Sequence, residues 1–332
     1  METPNDCYIE LSSWNLSIPI ILIDMEYLKN GCSREKRKIR IGIDVKFLNI
    51  LADDRFDILY YVNDSSKDYL DFRIAPDERR IIPRNFETQQ FEKIQVVTDI
   101  DRFENYWKRS KFIECRGMEM IRGEDVERFL PPAGLASSIL SLLRNELVEV
   151  GMYPFIMSGT LLGWYRECSI IPHTPDLDMA IFIEDYNPRF LENVKNQQSN
   201  FFVYRQLGML NDSFELTMVS TVEPRFPIDI FFMYEELSDG PPTHHWMGGV
   251  DKDGTKYKFL FESLDPWCSG DLHGYLVWMT CTPQEKLSKE YGSQWFFDHP
   301  TREFPWNEGP KNIVPNGKWT EEEMKIVYNV FS

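Results

Sequence analysis

The sequence predicts an α/β (α+β) protein of two domains, and three observations lead there. Strand-like and helix-like stretches alternate through the first third, a charged Gly/Pro connection follows, and an amphipathic helix then opens a strand-rich second part. At 332 residues the chain is long enough for each domain to bury its own core. A hydrophobic fraction of 42% with 14% aromatics excludes a disordered chain.

Residues 1–125 form the expected first domain. The stretches "IPIILID", "IRIGIDVKFLNIL", "FDILYYV", "EKIQVVT" and "DRFENYWKRSKFI" compose a small α/β unit. It has no glycine-rich phosphate loop and its charges are dispersed, so it reads as a packing or acceptor-recognition domain. The connection is "CRGMEMIRGEDVERFLPPAG", which mixes charge, Gly and a Pro-Pro pair.

Residues 126–332 form the second. Ala136, Ile139, Leu140, Leu143, Leu147 and Val150 recur at helical spacing, which predicts an amphipathic helix over Leu135 to Val150. A short strand, Pro154 to Met157, leads into a Ser158-Gly159-Thr160 turn, a helix over Leu161 to Glu167 and a strand ending in "DMAIFI". "NFFVYRQLGML" and "FELTMVS" read as a hairpin and "PIDIFFMYEE" as a further strand, with "KYKFLFESL" and "YLVWMT" as candidates to extend the sheet. Thr282 caps a helix that has Pro283 at its first position and Glu285 three residues after the cap.

Charge narrows the function classes. Fifty-three acidic against 36 basic residues give a net charge of -17, with no basic run, which disfavours nucleic acid as a partner. A phosphate-handling site here needs a cation of its own. Six cysteines without a C-x-x-C pair indicate neither a zinc knuckle nor a dense disulfide framework and leave one or two disulfides open. Sequons at Asn15, Asn63 and Asn211 suit a secretory-pathway protein but carry little weight. The apolar run Ile18 to Ile23 is far short of the roughly 20 residues that span a bilayer, so neither anchor nor signal is expected in the chain as written.

Chemistry concentrates on Asp176 and Asp178. Side chains two apart in an extended segment share a face, about 6 to 7 Å apart. Two carboxylates so placed repel each other unless protonated or bridged by a cation such as Mg²⁺ or Mn²⁺. A lone D-x-D is usually a solvated loop. This one runs directly into the apolar "MAIFI", and Asp229 enters a second apolar strand in "FPIDIFFMYEE". If the two strands are neighbours, three carboxylates meet. Ser158, Gly159 and Thr160 at the following helix start are candidates to hold a phosphate on free backbone N–H groups. A Gly-Ser/Thr turn, a helix, a D-x-D and a later Asp, in that order, are the site plan of the polymerase-β-like nucleotidyltransferase fold.

Other residues divide between two readings. Arg166 either reaches a diphosphate or makes a surface ion pair. His173 either contacts substrate or supports the loop. His244 and His245 point oppositely if extended, so a loop near the nucleotide is the reading taken for them. Trp164 and Tyr165 are taken as core, and Trp246, beside Gly248 and Gly249, as the candidate to stack on a nucleobase.

The blocks "SGTLLGWYRECSIIPHTPDLDMAIFIEDY", "IDIFFMYEE", "HHWMGGVDKDGTKYKFLF", "LSKEYGSQWF" and "GPKNIVPNGKW" resemble the LicD/fukutin family over most of Gly151 to Trp319. The resemblance implies transfer of a phospho-group from a CDP-linked donor to a sugar hydroxyl of a glycoprotein glycan, with CMP as leaving group. The donor is CDP-ribitol in one branch and CDP-choline in the other. It maps the metal ligands onto Asp176, Asp178 and Asp229, the last also a candidate proton acceptor, and the glycine turn onto Gly159 and Thr160. It further implies Mg²⁺ or Mn²⁺, a related transferase or a second copy as partner, and a Golgi or secretory-lumen address. A catalytically weak binding subunit and a true nucleotidyltransferase are the rival readings.

Overall fold

The computed structural model describes residues 19–30, 38–48, 56–75, 77–91, 94–122, 126–236, 244–262 and 267–331. Cys7, Cys32 and the Asn15 sequon lie outside these. The chain forms two compact units, Met1–Phe112 and Ile113–Ser332. The division falls earlier than the expected 125/126, because the charged connection is tied into the second unit. Ile113 N–H donates to the Ser269 carbonyl, Arg116 N–H to Tyr165 and Met118 N–H to Arg166, while Cys115 is disulfide-bonded to Cys168. Gly/Pro content marks irregular backbone but does not reveal which core that backbone is fastened to.

In the first unit, β1 (Ile20–Leu22), β2 (Ile39–Asp44), β3 (Phe56–Val62), β4 (Tyr69–Ala75), β5 (Glu78–Pro83), β6 (Thr88–Phe91) and β7 (Ile94–Val97) form one mixed sheet in the order β5-β4-β3-β2-β1-β7-β6. Short helices, Met25–Asn30 and Ile100–Lys108, accompany it. Ile20, Leu22, Ile41, Ile43 and Phe56 make its core with Tyr27 and Ile94.

The second unit opens with the Ala133–Glu149 helix, whose apolar stripe of Ala136, Ile139, Leu140, Leu143 and Leu147 is buried. It continues through β8 (Phe155–Ile156), the Ser158–Glu167 helix, β9 (Leu177–Phe182), the hairpin β10 (Phe201–Met209) and β11 (Asp212–Ser220), and β12 (Pro227–Glu235). Then come β13 (His244–Val250), β14 (Thr255–Glu262), β15 (Trp267–Leu272), β16 (Tyr275–Thr280), the Pro283–Tyr291 helix, β17 (Ile313–Lys318) and the terminal strand β18 (Tyr328–Val330). The main sheet runs β17-β14-β13-β12-β11-β10-β18, with β9 pairing β12 in parallel and β8 antiparallel.

Three elements differ from the sequence reading. The Ser158–Glu167 helix absorbs the expected Ser-Gly-Thr turn. "YLVWMT" pairs only with β15, in a separate two-stranded sheet. His244 and His245 begin a strand rather than lie in a loop, one exposed and one buried as alternation requires.

Candidate active site

β12 is the element on which the site is built. One of its edges is taken by β11 and the other first by β9 and then by β13. The β9 pairing sets Asp229 opposite Asp178, and Asp176, just ahead of β9, shares the face of Asp178. One carboxylate oxygen from each of the three lies within 4.8 Å of the others. They border a cleft of about 510 Å³.

Each carboxylate is held by a neutral donor. Gly159 N–H donates to Asp178 Oδ2 at 3.1 Å, and the Asp178 N–H donates back to Thr160 Oγ1 at 2.7 Å. Position 159 must approach this closely, since a β-carbon there would sit 3.3 Å from Asp178 Oδ2. The Thr174 hydroxyl donates to Asp176 Oδ1 at 3.2 Å and the Thr217 hydroxyl to Asp229 Oδ1 at 2.5 Å. Arg205 stands 3.5 Å from Asp229 Oδ2 and 2.8 Å from Glu215 Oε1.

Burial raises the pKa of five acids in the cleft. Asp178 is driven well above the usual carboxylate range by burial and then by Asp176, Asp229 and Glu290. Burial also raises Asp176, against the lowering effect of Thr174 and Arg205. It takes Asp229 to about 6, Arg205 opposing and Asp176 assisting. Glu215 reaches about 8, by burial and Asp229 over the opposing pull of Arg205, and Glu290 about 7, by burial over hydrogen bonds from Ser158 and Tyr291. Six acids, these five and Asp251, border one cleft that Arg166, Arg205 and Lys252 also line, and such a site either keeps protons or takes up a cation. The donor set is all oxygen, which suits Mg²⁺ or Mn²⁺, and Asp176, Asp178 and Asp229 are the residues that would hold it.

Of the predicted phosphate or nucleotide contacts, Ser158, Gly159, Arg166 and His173 line the cleft and Thr160 and Trp246 do not. The Thr160 side chain is buried and occupied by the Asp178 backbone, so it locks the helix to β9. The Gly159 N–H is used on Asp178 rather than left for a phosphate. Ser158 borders the cleft with a left-handed φ of 44° and bonds to Glu290.

Arg166 is buried and its donors go to Glu167, Asp298 and the Phe297 and Trp295 carbonyls, which makes it a structural strut. Arg122 bridges the same two carboxylates. Burial opposes ionisation of Asp298, but Arg122, His173 and Arg166 outweigh it and hold its pKa below the usual value.

His173 faces Asp298 through Nε2 at 3.1 Å and Thr301 Oγ1 through Nδ1 at 2.8 Å. The Thr301 N–H also points at Nδ1, which assigns the ring proton to Nε2. His173 thus supports the wall. Trp246 stacks on Tyr234 at 4.4 Å inside the core, since the β12–β13 register pairs them on the face opposite Asp229. Trp164 and Tyr165 are buried in that core too.

Comparison with known proteins gives this geometry a context. Residues 6–114 match the W02B3.4-like N-terminal domain, and residues 151–281 the LicD/FKTN/FKRP nucleotidyltransferase domain. The chain is 48% identical to the Caenorhabditis elegans protein W02B3.4, over 98% of its own length and 85% of that protein. The chain belongs to the W02B3.4-like family. A second Caenorhabditis elegans relative, T07A5.1, is 35% identical over 99% of this chain and 89% of its own. The Mus musculus ribitol-5-phosphate transferase FKTN is 31% identical over 71% of this chain, which spans 50% of that relative. This W02B3.4-like protein therefore joins a W02B3.4-like N-terminal domain to a LicD-type nucleotidyltransferase domain, and the acidic cleft lies in the unit that carries the latter.

Arg205, Glu215 and Glu290 escaped the sequence reading. Glu215 left a trace, as an acid within the apolar "FELTMVS" whose inward alternation matches that of Thr217. Arg205 and Glu290 left none, because a charged residue in a polar-looking strand or helix is ordinarily solvated.

Proposed function

We propose that this protein transfers ribitol 5-phosphate from CDP-ribitol to a sugar hydroxyl of a glycoprotein glycan, releasing CMP. The observation that carries the reading is the β9–β12 register, which sets Asp178 beside Asp229 with Asp176 on the same face. Similarity to ribitol-5-phosphate transferase FKTN supports the choice of donor.

In this reading the acceptor oxygen attacks the ribitol-bearing phosphorus, the bond from that phosphorus to the CMP oxygen breaks, and CMP leaves with the electron pair. The hydroxyl proton passes to Asp229, which stands opposite Asp178 at the mouth of the neighbouring strand. Gly159 and Thr174 fix the directions of Asp178 and Asp176, and Thr217 with Arg205 fixes that of Asp229. A bound Mg²⁺ or Mn²⁺ would supply charge neutralisation for the diphosphate. The two disulfides among the described residues, Cys115–Cys168 and Cys268–Cys281, suit an oxidising compartment such as the Golgi lumen. Among the described residues no helix is long and apolar enough to cross a membrane.

The test is incubation of the full chain with CDP-ribitol, Mn²⁺ and a panel of glycan acceptors, with CMP and the modified glycan followed by chromatography. Turnover of CDP-choline instead would replace the donor, and pyrophosphate from CTP would replace the reaction class. Absence of any metal-dependent affinity for a CDP-linked donor refutes the reading.

A further inference from the structure

We infer that Trp306 is the platform on which the nucleobase of the donor stacks, an inference that rests on the CDP-donor reading above. Among the described tryptophans it alone is exposed, at 44%, and it lines the cleft that holds the carboxylates. Its ring is held in place from behind. Tyr257 meets it edge-on with centroids 5.6 Å apart, and Phe259 lies tilted at 6.4 Å.

The seat beneath it is Gly249. A β-carbon there would fall 2.6 Å from Trp306 Cζ3, so the strand accommodates the indole only because that side chain is missing. Gly249 is two residues beyond Met247, which pairs with Met233 of β12, and Met233 shares the face of Asp229. Ring and carboxylates therefore stand over the same side of the sheet. The next residue fixes the loop, since the Asn307 amide donates to Asp251 Oδ2 at 3.0 Å.

A rigid indole with an open face, beside a pocket fit for phosphates, matches a ligand that carries a flat heteroaromatic ring next to a diphosphate. Stacking of a base on an aromatic side chain tolerates any base, so Trp306 contributes affinity for a nucleotide and leaves the identity of the base to other contacts.

The test is calorimetric titration of the full chain with CDP and with inorganic pyrophosphate, both in Mn²⁺, on the wild type, Trp306→Ala, Trp306→Phe and Asp178→Asn. Trp306→Ala should weaken CDP on the order of 10-fold to 100-fold and leave pyrophosphate unchanged. Trp306→Phe should keep most of the affinity for CDP while abolishing the fluorescence quench that CDP causes in the wild type, a readout that holds even if the alanine variant fails to fold. Unchanged CDP affinity in Trp306→Ala, equal loss of both ligands, or a quench that survives in Trp306→Phe overturns the inference. If Asp178→Asn loses both ligands in any of those cases, the donor reading stands without it. A wild type that binds neither ligand defeats the donor reading itself.

Discussion

Removing divalent cations with a chelator and raising the pH from about 6 to about 7 should destabilise the C-terminal unit. The cause is the acidic cleft. Burial lifts Asp229 from 3.8 to about 6, Glu290 from 4.5 to about 7 and Glu215 from 4.5 to about 8. These carboxyls keep protons in the folded chain that the unfolded chain has already released. Their contribution to stability is complete below the unfolded values and disappears as pH rises through the folded ones. Between about pH 6 and 7 Glu215 and Glu290 together hold between one and two extra protons in the folded state, apart from those on Asp178 and Asp229. Each corresponds to about 1.4 kcal/mol per pH unit, so about 2 kcal/mol is lost. For a unit of this size that lowers Tm by roughly 4 to 8 °C.

The assay is thermal unfolding by circular dichroism across this interval, in chelator and in saturating Mn²⁺. With the cation the cleft carboxylates ionise on binding and the decline should vanish. Glu215→Gln separates the cleft from general repulsion in a chain of net charge -17, and should reduce the slope in chelator markedly. A Tm that stays flat or rises in chelator, or a slope that Glu215→Gln leaves intact, would refute the reasoning.

Three further outcomes follow from the same geometry. Asp178→Asn should lower Mn²⁺-dependent turnover on the order of 100-fold or more while leaving Tm in chelator unchanged or higher, because it relieves like-charge repulsion; full turnover would show that the cluster is not the metal centre. Gly159→Ala should push on Asp178 Oδ2 and weaken Mn²⁺ binding by about 10-fold, measured by calorimetry, with little change in Tm. Arg166→Met should cost about 3 kcal/mol by leaving Glu167 and Asp298 short of a partner, read as a fall in Tm. A phosphate contact at Arg166 would instead raise KM and spare Tm.

The strands and the three aspartates were legible because they depend on local pattern. The apolar run after Asp178 and the one around Asp229 announce buried strands, and an acid at the mouth of each stands out against them. Where a side chain ends up was less legible. Arg166 and Arg205 are both arginines near apolar segments, yet one is spent on Glu167 and Asp298 while the other faces Asp229 across the cleft. Trp246 stood next to two glycines and so suggested a stacking site, but its partner in the β12–β13 register is Tyr234, and the sheet buries both. Trp306 carried no such signal, because its seat, Gly249, is remote in the chain.

By itself the sequence determined that there are two α/β units, that the second carries an acid pair at the mouth of a buried strand, and that the family chemistry is phospho-group transfer. The first two rest on residue type and on periodicity over a few residues, which the backbone geometry of strands and helices converts directly into faces, and the third on the resemblance to the LicD/fukutin family. Only the tertiary structure decided that Asp229 lies opposite Asp178, that Glu215 and Glu290 join them, and that the connection after Phe112 belongs to the second unit. The reason is physical: strand register and burial are set by the packing of segments distant in the chain, and the same packing determines which charges meet in one cleft.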